Sequence, residues 1–137
     1  MSNLRKLEGG RAAYAFASAK EGIKIPEYES WAKKMPMLIQ ANGLGAGLAF
    51  LKSKAKDNNV YQLLYKQSKA WLIHSDCFLK SILGFSDNCE LIEEVIKLES
   101  PQYRAVTLEL IAFFNWVRRF ASGLENEKSS KDAVKTT

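Results

Sequence analysis

The sequence predicts an all-α fold, a single compact domain of five or six helices packed around a central apolar helix. The central helix is indicated by residues 35–51, a run without a charged side chain. Residues 103–124 indicate a second long helix, because apolar side chains recur there at steps of three and four without a miss. No segment of convincing length alternates polar and apolar residues, so we expect no strand.

The central helix, predicted over residues 36–55, has the composition of a buried element. Its apolar stripe is Met37, Ala41, Leu44, Leu48, Leu51 and Ala55. Gly43 and Gly47 lie four residues apart, which predicts that another helix backbone comes close. Pro36, which opens or kinks the helix, and Gln40 argue against a membrane span. The segment GLGAG also differs from the phosphate-binding pattern G-x-G-x-x-G.

Breaks on both sides separate this helix from its neighbours. An alanine-rich first helix should end near Gly22, and the Lys-Ile-Pro sequence at residues 24–26 should break the chain. A short helix around Tyr28 follows. The Asp-Asn-Asn sequence at residues 57–59 predicts a turn and an N-cap for a helix over residues 60–75.

The second half of the chain starts with shorter elements. We expect one helical turn within residues 76–86, ended by Gly84. Asp87 and Glu90 have the spacing of a capping box, which predicts an amphipathic helix over residues 91–98.

The last helix has the clearest start signal. Ser100 followed by Pro101 is typical of an N-cap and a first helical position. The apolar stripe runs to Leu124, after which the sequence becomes polar. We therefore predict a helical domain over residues 1–124 and a flexible polar tail over residues 125–137.

Charge is distributed unevenly along the chain, whose net charge is +5 with a pI of about 9.2. Residues 1–75 hold twelve Lys or Arg against five Asp or Glu, whereas residues 76–100 hold two against six. A basic body with one acidic segment, residues 86–99, is typical of a protein that binds nucleic acid and docks on basic protein neighbours.

Residues suited to catalysis or metal binding are scarce. His74 is the only histidine, and a nucleophilic site would have to use it, with Cys77 or Cys89 as the nucleophile. These three residues lack the paired spacings of a zinc site, and the glutamates at residues 90–99 fit a solvated helix face better than a magnesium cluster. We predict a non-enzyme without cofactor, metal, small-molecule substrate or membrane partner. Two cysteines and no signal peptide favour the cytoplasm.

Basic side chains are the better candidates for function. The lysines flank the central helix, whose two ends are about 30 Å apart at its predicted length, so they predict two separate patches. The paired arginines of the last helix suit phosphate, because guanidinium groups bind it through two hydrogen bonds. The candidates for RNA binding are Lys33, Lys34, Lys52, Lys54, Lys56, Arg104, Arg118 and Arg119. Three tryptophans, Trp31, Trp71 and Trp116, are interpreted as core residues rather than base-stacking ones.

Two sequence blocks resemble a known family. The first is PMLIQANGLGAGLAF at residues 36–50, and the second is YRAVTLEL at residues 103–110 with WVRRFASGL at residues 116–124. In this order and chain length they are similar to the small subunit of the type III-B CRISPR effector, the Cmr complex. Arg118 stands where a lysine is common, which keeps the charge. The basic first helix fits as well and adds Arg11 to the candidate RNA-binding residues.

The resemblance implies a small, non-catalytic, all-α subunit of an antiviral ribonucleoprotein. Several copies would stack beside the crRNA-bound backbone subunits and help to hold target RNA against the crRNA guide. Its partners would be the crRNA-binding backbone subunit, the large subunit, further copies of itself and the two RNAs. Cleavage would belong to the other subunits.

Three other function classes remain open from the residues alone. A helical DNA-binding regulator would have the same basic charge but requires a helix–turn–helix unit with an exposed recognition helix. A different basic protein-interaction module is also compatible with the composition. An enzyme that uses His74 would lose activity on substitution of this residue.

Overall fold

The structure, a computed structural model, describes the backbone of residues 2–136 and the side chains of residues 6–131. All its regular elements are helices, so the prediction of an all-α single domain is confirmed. In order they are α1 (Ser2–Gly22), α2 (Tyr28–Asn42), α3 (Leu44–Lys54), α4 (Val60–Leu72), α5 (Lys80–Leu83), α6 (Leu91–Ile96) and α7 (Ser100–Thr136). The described chain therefore has seven helices rather than five or six, with the single turn α5 included in the count.

The long helix α7 is the element against which the others pack. Both α1 and α2 lie along it, α3 packs on α4, and α6 packs on α3. The apolar steps of α7 explain this position, because they bury a continuous stripe from Val106 through Leu110 and Phe113 to Val117. Phe114 is buried beside the stripe, so α7 presents an apolar surface to helices on two sides.

The predicted central helix is broken at Gly43. This glycine adopts φ 89° and ψ 157°, a conformation that is essentially closed to residues with a side chain. Its N–H ends α2 by donating to the Ile39 carbonyl at 2.9 Å, and its own carbonyl begins α3 by accepting from the Gly47 N–H at 2.9 Å. A Cβ atom on Gly47 would lie 3.8 Å from the Ile39 Cα. The predicted close approach of a second backbone is therefore the approach of α2 to α3.

The corner at Gly43 also changes which residues are buried. The predicted stripe is wrong in α2, where Met37 is 66% exposed and Ala41 is exposed, and right in α3, where Leu44 and Leu48 are buried. The reason is that the break at Gly43 ends the regular rotation of side chains from one helix to the next. Helix α2 therefore has its own buried face, which consists of Tyr28, Ala32, Met35 and Ile39. Pro36 lies inside α2, which joins the predicted short helix to the first half of the central one.

Of the caps and ends predicted for the other helices, some are confirmed and others are wrong. The Asn59 side chain caps α4 by accepting from the Gln62 N–H at 2.9 Å, and Gly84 ends α5 with φ 63°, as predicted. The predicted capping box is wrong, because α6 begins after Glu90 rather than after Asp87, and the Glu90 side chain makes no capping hydrogen bond. Helix α7 continues past Leu124 to Thr136, so the described part of the predicted tail is helical, with exposed side chains over residues 126–131.

Candidate nucleic-acid interface

A cluster of three half-buried aromatic rings joins α2, α3 and α4. Trp31 lies 5.6 Å from Phe50 and 5.0 Å from Tyr61, measured between ring centroids, and Phe50 lies 6.1 Å from Tyr61. The edge-to-face arrangement of Tyr61 against both neighbours is a favourable geometry for aromatic pairs. We call these three residues the aromatic cluster.

Two candidate lysines from different helices lie on this cluster. The Lys34 ammonium lies 4.4 Å from the centroid of Trp31, and the Lys54 ammonium lies 6.0 Å from the centroid of Phe50. Both separations allow cation–π attraction, which holds a lysine side chain against a ring. Adding these two separations to the Trp31–Phe50 distance gives an upper limit of 16 Å between the ammonium groups.

The two predicted lysine patches are therefore one surface, and the prediction of patches about 30 Å apart is wrong. The physical reason is the corner at Gly43, which folds α3 back along α2. Lys33 belongs to the α2 side and pairs with Glu29 at 2.7 Å, an exposed i,i+4 contact of small energy. Lys56 is exposed in the turn that follows α3. We call Lys34, Lys54 and the aromatic cluster the lysine surface.

Lys52 has a different role from the other lysines of α3. Its ammonium lies 2.5 Å from the Glu90 carboxylate, which also accepts a hydrogen bond from the Tyr65 hydroxyl. The hydroxyl in turn accepts from the Ile92 N–H at 3.1 Å, in the first turn of α6. Hydrogen bonding to Lys52, and then to Tyr65, lowers the pKa of Glu90 below its ordinary value. The acidic segment matches no known motif. Glu90 connects it to α3 through Lys52 and to α4 through Tyr65.

Arg11 is held inside the protein by Glu109, a carboxylate that is only 3% exposed. Its Nε donates to Oε2 at 2.6 Å and its Nη2 donates to Oε1 at 2.8 Å. The Trp71 indole N–H donates to the same carboxylate at 2.9 Å, so α1, α4 and α7 meet here. The hydrogen bond to Glu109 raises the pKa of Arg11. Two of the five N–H donors of Arg11, and the position of its guanidinium group, are therefore committed to the fold.

Glu109 is a residue that the sequence analysis missed. It is one of four buried polar or charged residues among the described side chains. A signal was present, because Glu109 lies between apolar residues within the most regular stripe of the chain. A charged residue is almost never buried there without a partner, so an internal cation was to be expected.

The arginines of α7 are on the surface. Arg118 and Arg119 line a pocket of about 340 Å³ between α1 and α7, together with Glu8, Arg11, Asn115 and Trp116. The Arg118 Nε donates to the Asn115 Oδ1 at 3.1 Å. Arg119 is exposed and has no ion pair among the described residues. Arg104 is exposed too, but it lies about 21 Å along α7 from Arg118, so it does not join the pocket.

The tryptophans differ in burial. Trp71 is buried and stacks on Phe113 with centroids 5.5 Å apart, as predicted for a core residue. Trp31 and Trp116 are half-buried at the edges of the helix packing. Each of these two lies beside basic residues, Trp31 in the lysine surface and Trp116 in the arginine pocket. The structure therefore separates one core tryptophan from two surface ones.

His74 and Cys77 lie in the segment between α4 and α5. The Nδ1 of His74 accepts from the Asp76 N–H at 3.1 Å, and its ring lies against Tyr14 and Trp71. Cys77 is 3% exposed, and burial raises the pKa of its thiol to about 11. A thiol of this kind is protonated at neutral pH and is a poor nucleophile.

Metal binding and membrane insertion find no support within the described residues. These contain no group of three or more His, Cys, Asp or Glu side chains that could hold a metal ion. Of the helices α1 to α7, none has a stretch both long and apolar enough for a membrane crossing.

Comparison with known proteins agrees with the architecture. The family model of the CRISPR-associated protein Cas_Cmr5 matches residues 7–124, which contain both sequence blocks. The CRISPR system Cmr subunit Cmr5 of Thermus thermophilus is 35% identical over 109 residues, 80% of this chain and 84% of that protein. The X-ray crystal structure of a CRISPR-associated Cmr5 family protein, also from Thermus thermophilus, has a TM-score of 0.65 at 29% identity, with 86% of this chain and 96% of that chain covered.

The family match covers most of the chain, and the curated relative is similar across most of its own length. The order of the two sequence blocks, the all-α fold and the similarity to the solved relative therefore all indicate the same family. The resemblance to the small subunit of the Cmr complex is confirmed. The chain belongs to the Cmr5 family, the small subunit of the CRISPR Cmr complex.

Proposed function

We propose that this protein is a non-catalytic, RNA-binding small subunit that stacks in several copies beside the crRNA-bound backbone subunits. In this position it contacts the target RNA and the crRNA. The observation that carries the RNA contact is the lysine surface, where Lys34 and Lys54 from two helices lie on one aromatic cluster.

The chemistry of this surface is suited to single-stranded RNA. Ammonium groups attract phosphates, and aromatic rings bind bases of any sequence by stacking. A subunit that holds target RNAs of many sequences requires this kind of contact rather than recognition of particular base edges. The net charge of +5 favours the same partner, because it attracts an RNA strand over a longer range.

A subunit of the Cmr complex interacts with other Cmr components, and we propose that the acidic segment takes part in these contacts. Glu90 is bound to Lys52 and Tyr65, whereas Glu93 and Glu99 are exposed. Ile96, which is 67% exposed, provides an apolar side chain among them. This mixture is suited to a basic neighbouring protein, such as the next copy or a backbone subunit.

The proposal of a non-catalytic role rests on the state of the two candidate catalytic residues. The Cys77 thiol is buried and protonated, and the His74 ring is packed against two aromatic rings. Burial also speaks against the DNA-binding alternative, because α4 places Leu64, Trp71 and Leu72 in the core. The face of α4 that bears these residues is therefore not available to contact DNA.

RNA binding by the lysine surface can be tested with the isolated protein and a fluorescent single-stranded RNA of about twenty nucleotides. Anisotropy titrations at several salt concentrations give the slope of log affinity against log salt. The variant Lys34→Gln/Lys54→Gln should weaken binding and reduce the magnitude of this slope by about 1.4, two phosphate contacts at about 0.7 each.

The matched control is Lys80→Gln/Lys97→Gln, which removes the same charge from exposed positions outside the lysine surface. It should leave the slope nearly unchanged. Equal effects of both variants would mean that net charge, rather than this surface, attracts RNA. Absence of RNA binding both in the isolated protein and in the assembled complex would refute the RNA contact altogether.

A further inference from the structure

The arginine pocket between α1 and α7 has a composition that the lysine surface does not share. It combines three guanidinium groups, a carboxamide, an indole ring and one carboxylate in about 340 Å³. This volume lies at the lower end of the range in which protein pockets bind small molecules, about 300–1,000 Å³. The pocket therefore has room for one small ligand.

The three guanidinium groups differ in how many of their N–H donors are already used within the fold. Arg11 donates from Nε and Nη2 to Glu109, which fixes the plane of its guanidinium group. Arg118 donates from Nε to Asn115, and its two terminal nitrogens make no hydrogen bond to the described residues. Arg119 is exposed. Arg118 and Arg119 thus keep the most donors for an incoming anion, and the bond to Asn115 holds Arg118 in place.

Trp116 provides the apolar wall of the pocket. Its ring stacks on Phe120 with centroids 5.6 Å apart and an interplanar angle of 19°. This stacking covers one ring face and holds the indole in place, while the half-buried side chain lines the pocket. An aromatic ring next to oriented guanidinium groups is the pair of features that binds a nucleotide, base on the ring and phosphate on the arginines.

We propose that this pocket is a subsite for one nucleotide of single-stranded RNA. Its phosphate binds to Arg118 and Arg119, and its base stacks on Trp116. Glu8 disfavours a second phosphate and accepts hydrogen bonds from the amino groups of adenine, guanine or cytosine. The proposal rests on the RNA-binding function above but concerns a separate site, because the pocket lies between α1 and α7 whereas the lysine surface is built from α2, α3 and α4.

The test uses the full chain and the indole N–H signals of its three tryptophans in ¹⁵N-resolved NMR spectra. A Trp116→Phe variant assigns the Trp116 signal by its disappearance. The probe is the tetranucleotide r(A)₄. It should shift the Trp116 signal, whereas inorganic polyphosphate of similar charge should shift it much less, because polyphosphate has no base to stack.

Variants then separate the two parts of the subsite. Arg118→Gln/Arg119→Gln should abolish most of the Trp116 shift, and Trp116→Leu should lower the affinity for r(A)₄ by about 5- to 150-fold, the effect of losing one stacked base. The charge-matched control Lys80→Gln/Lys97→Gln, at exposed positions outside both the pocket and the lysine surface, should leave the Trp116 shift intact. Circular dichroism confirms that each variant retains its helices.

The outcomes distinguish this proposal from the proposed function. If r(A)₄ binds but the Trp116 signal stays in place, RNA binding stands and the nucleotide subsite is refuted. If polyphosphate shifts the signal as strongly as r(A)₄ does, the pocket is a plain anion site and base stacking is refuted. If r(A)₄ and longer RNA do not bind at all, both proposals fail together.

Discussion

The hydroxyl of Tyr103 accepts a hydrogen bond from the Gly45 N–H at 2.8 Å, across 58 residues of sequence. Gly45 lies in the first turn of α3, where backbone N–H groups have no partner within the helix. Tyr103 lies in the first turn of α7. The bond therefore joins the two sequence blocks of the family at the corner that shapes the lysine surface.

Removal of this hydroxyl should destabilise the corner. We expect Tyr103→Phe to lower the free energy of unfolding by about 1–3 kcal/mol, because the Gly45 N–H loses its acceptor. Urea denaturation followed by circular dichroism measures the change. The matched control is Tyr61→Phe, since the Tyr61 hydroxyl has no hydrogen bond within residues 6–131. An equal effect of both substitutions would contradict a specific role for the Tyr103 bond.

Gly43→Ala should be costly for a different reason. At φ 89° and ψ 157° an alanine is strained, and this strain is of the order of 1–3 kcal/mol. The variant should also weaken RNA binding by the lysine surface, because the corner brings Lys34 and Lys54 together. Urea denaturation and RNA anisotropy titrations measure the two effects.

Gly123→Ala provides the comparison for the same chemical change. A Cβ atom at Gly123 would meet no atom within 4 Å, and the residue is exposed in α7. Alanine should therefore stabilise the protein by about 0.5–1 kcal/mol. A Gly43→Ala protein as stable as the parent would show that the corner tolerates a side chain and would overturn this account.

The ion pair of Arg11 and Glu109 should contribute strongly to stability. Arg11→Met leaves the buried Glu109 carboxylate with only the Trp71 N–H as donor. We expect the free energy of unfolding to fall by about 3 kcal/mol. This value is at the lower end for removing one partner of a buried ion pair, because Arg11 is partly exposed. A double-mutant cycle with Glu109→Gln should show a coupling energy of about 1–3 kcal/mol.

The exposed pair of Lys33 and Glu29 is the control for this cycle. The same substitutions, Lys33→Met and Glu29→Gln, should show a coupling below about 0.5 kcal/mol, because solvent screens the charges. Similar coupling energies in the two cycles would contradict a special role for the buried pair.

The stability contributed by Glu90 should depend on pH. Its pKa is lowered in the folded protein by hydrogen bonds to Lys52 and then Tyr65, so the charged form stabilises the fold. This contribution is present above the unfolded pKa, about 4.3, and is lost as the pH falls through the lower folded pKa. The difference in unfolding free energy between the parent and Glu90→Gln should therefore be larger at pH 7 than at about pH 3.

Glu93→Gln controls for the general effect of removing a carboxylate from the acidic segment. Glu93 is exposed and has no hydrogen bond or ion pair among the described side chains. Its substitution should change the unfolding free energy little at either pH. If Glu90→Gln behaves in the same way, the contacts with Lys52 and Tyr65 do not stabilise the fold.

The two cysteines should differ in reactivity toward a thiol reagent such as Ellman's reagent at pH 8. Burial raises the pKa of Cys77 to about 11, so about one thiol in a thousand is ionised, and the side chain is 3% exposed. A Cys89→Ser protein should react only after unfolding in urea. A Cys77→Ser protein should react more readily, because Cys89 is only half-buried. Fast reaction of native Cys77 would reopen a catalytic role for it.

The sequence by itself determined the helical class and several helix ends. Asn59 caps α4 and Gly84 ends α5 through bonds and torsion angles that involve residues only a few positions away. The apolar repeat of α7 likewise identified buried residues, since a helix shows one face to its neighbours whatever they are. Such features depend on residues that are close together in the sequence, so a short stretch of sequence is enough to predict them.

The candidate site was only partly predictable. Arg11, Lys52 and Arg118 look alike as surface cations, yet Glu109 binds the first and Glu90 binds the second, while Arg118 lines an open pocket. The partner of Arg11 is 98 residues away, and no local pattern relates the two positions. Which charge stays available for RNA is therefore decided when the helices pack.

The conformation of Gly43 was also not predictable from the sequence of its own segment. A glycine in a helical pattern is compatible with a continuous helix or with a corner, since its backbone adopts both conformations at similar energy. Packing of α3 against α2 and the bond from Gly45 to Tyr103 select the corner. The sequence determined that this segment is apolar and helical, and only the tertiary structure decided that it turns back on itself, because the contacts that stabilise the turn come from a distant helix.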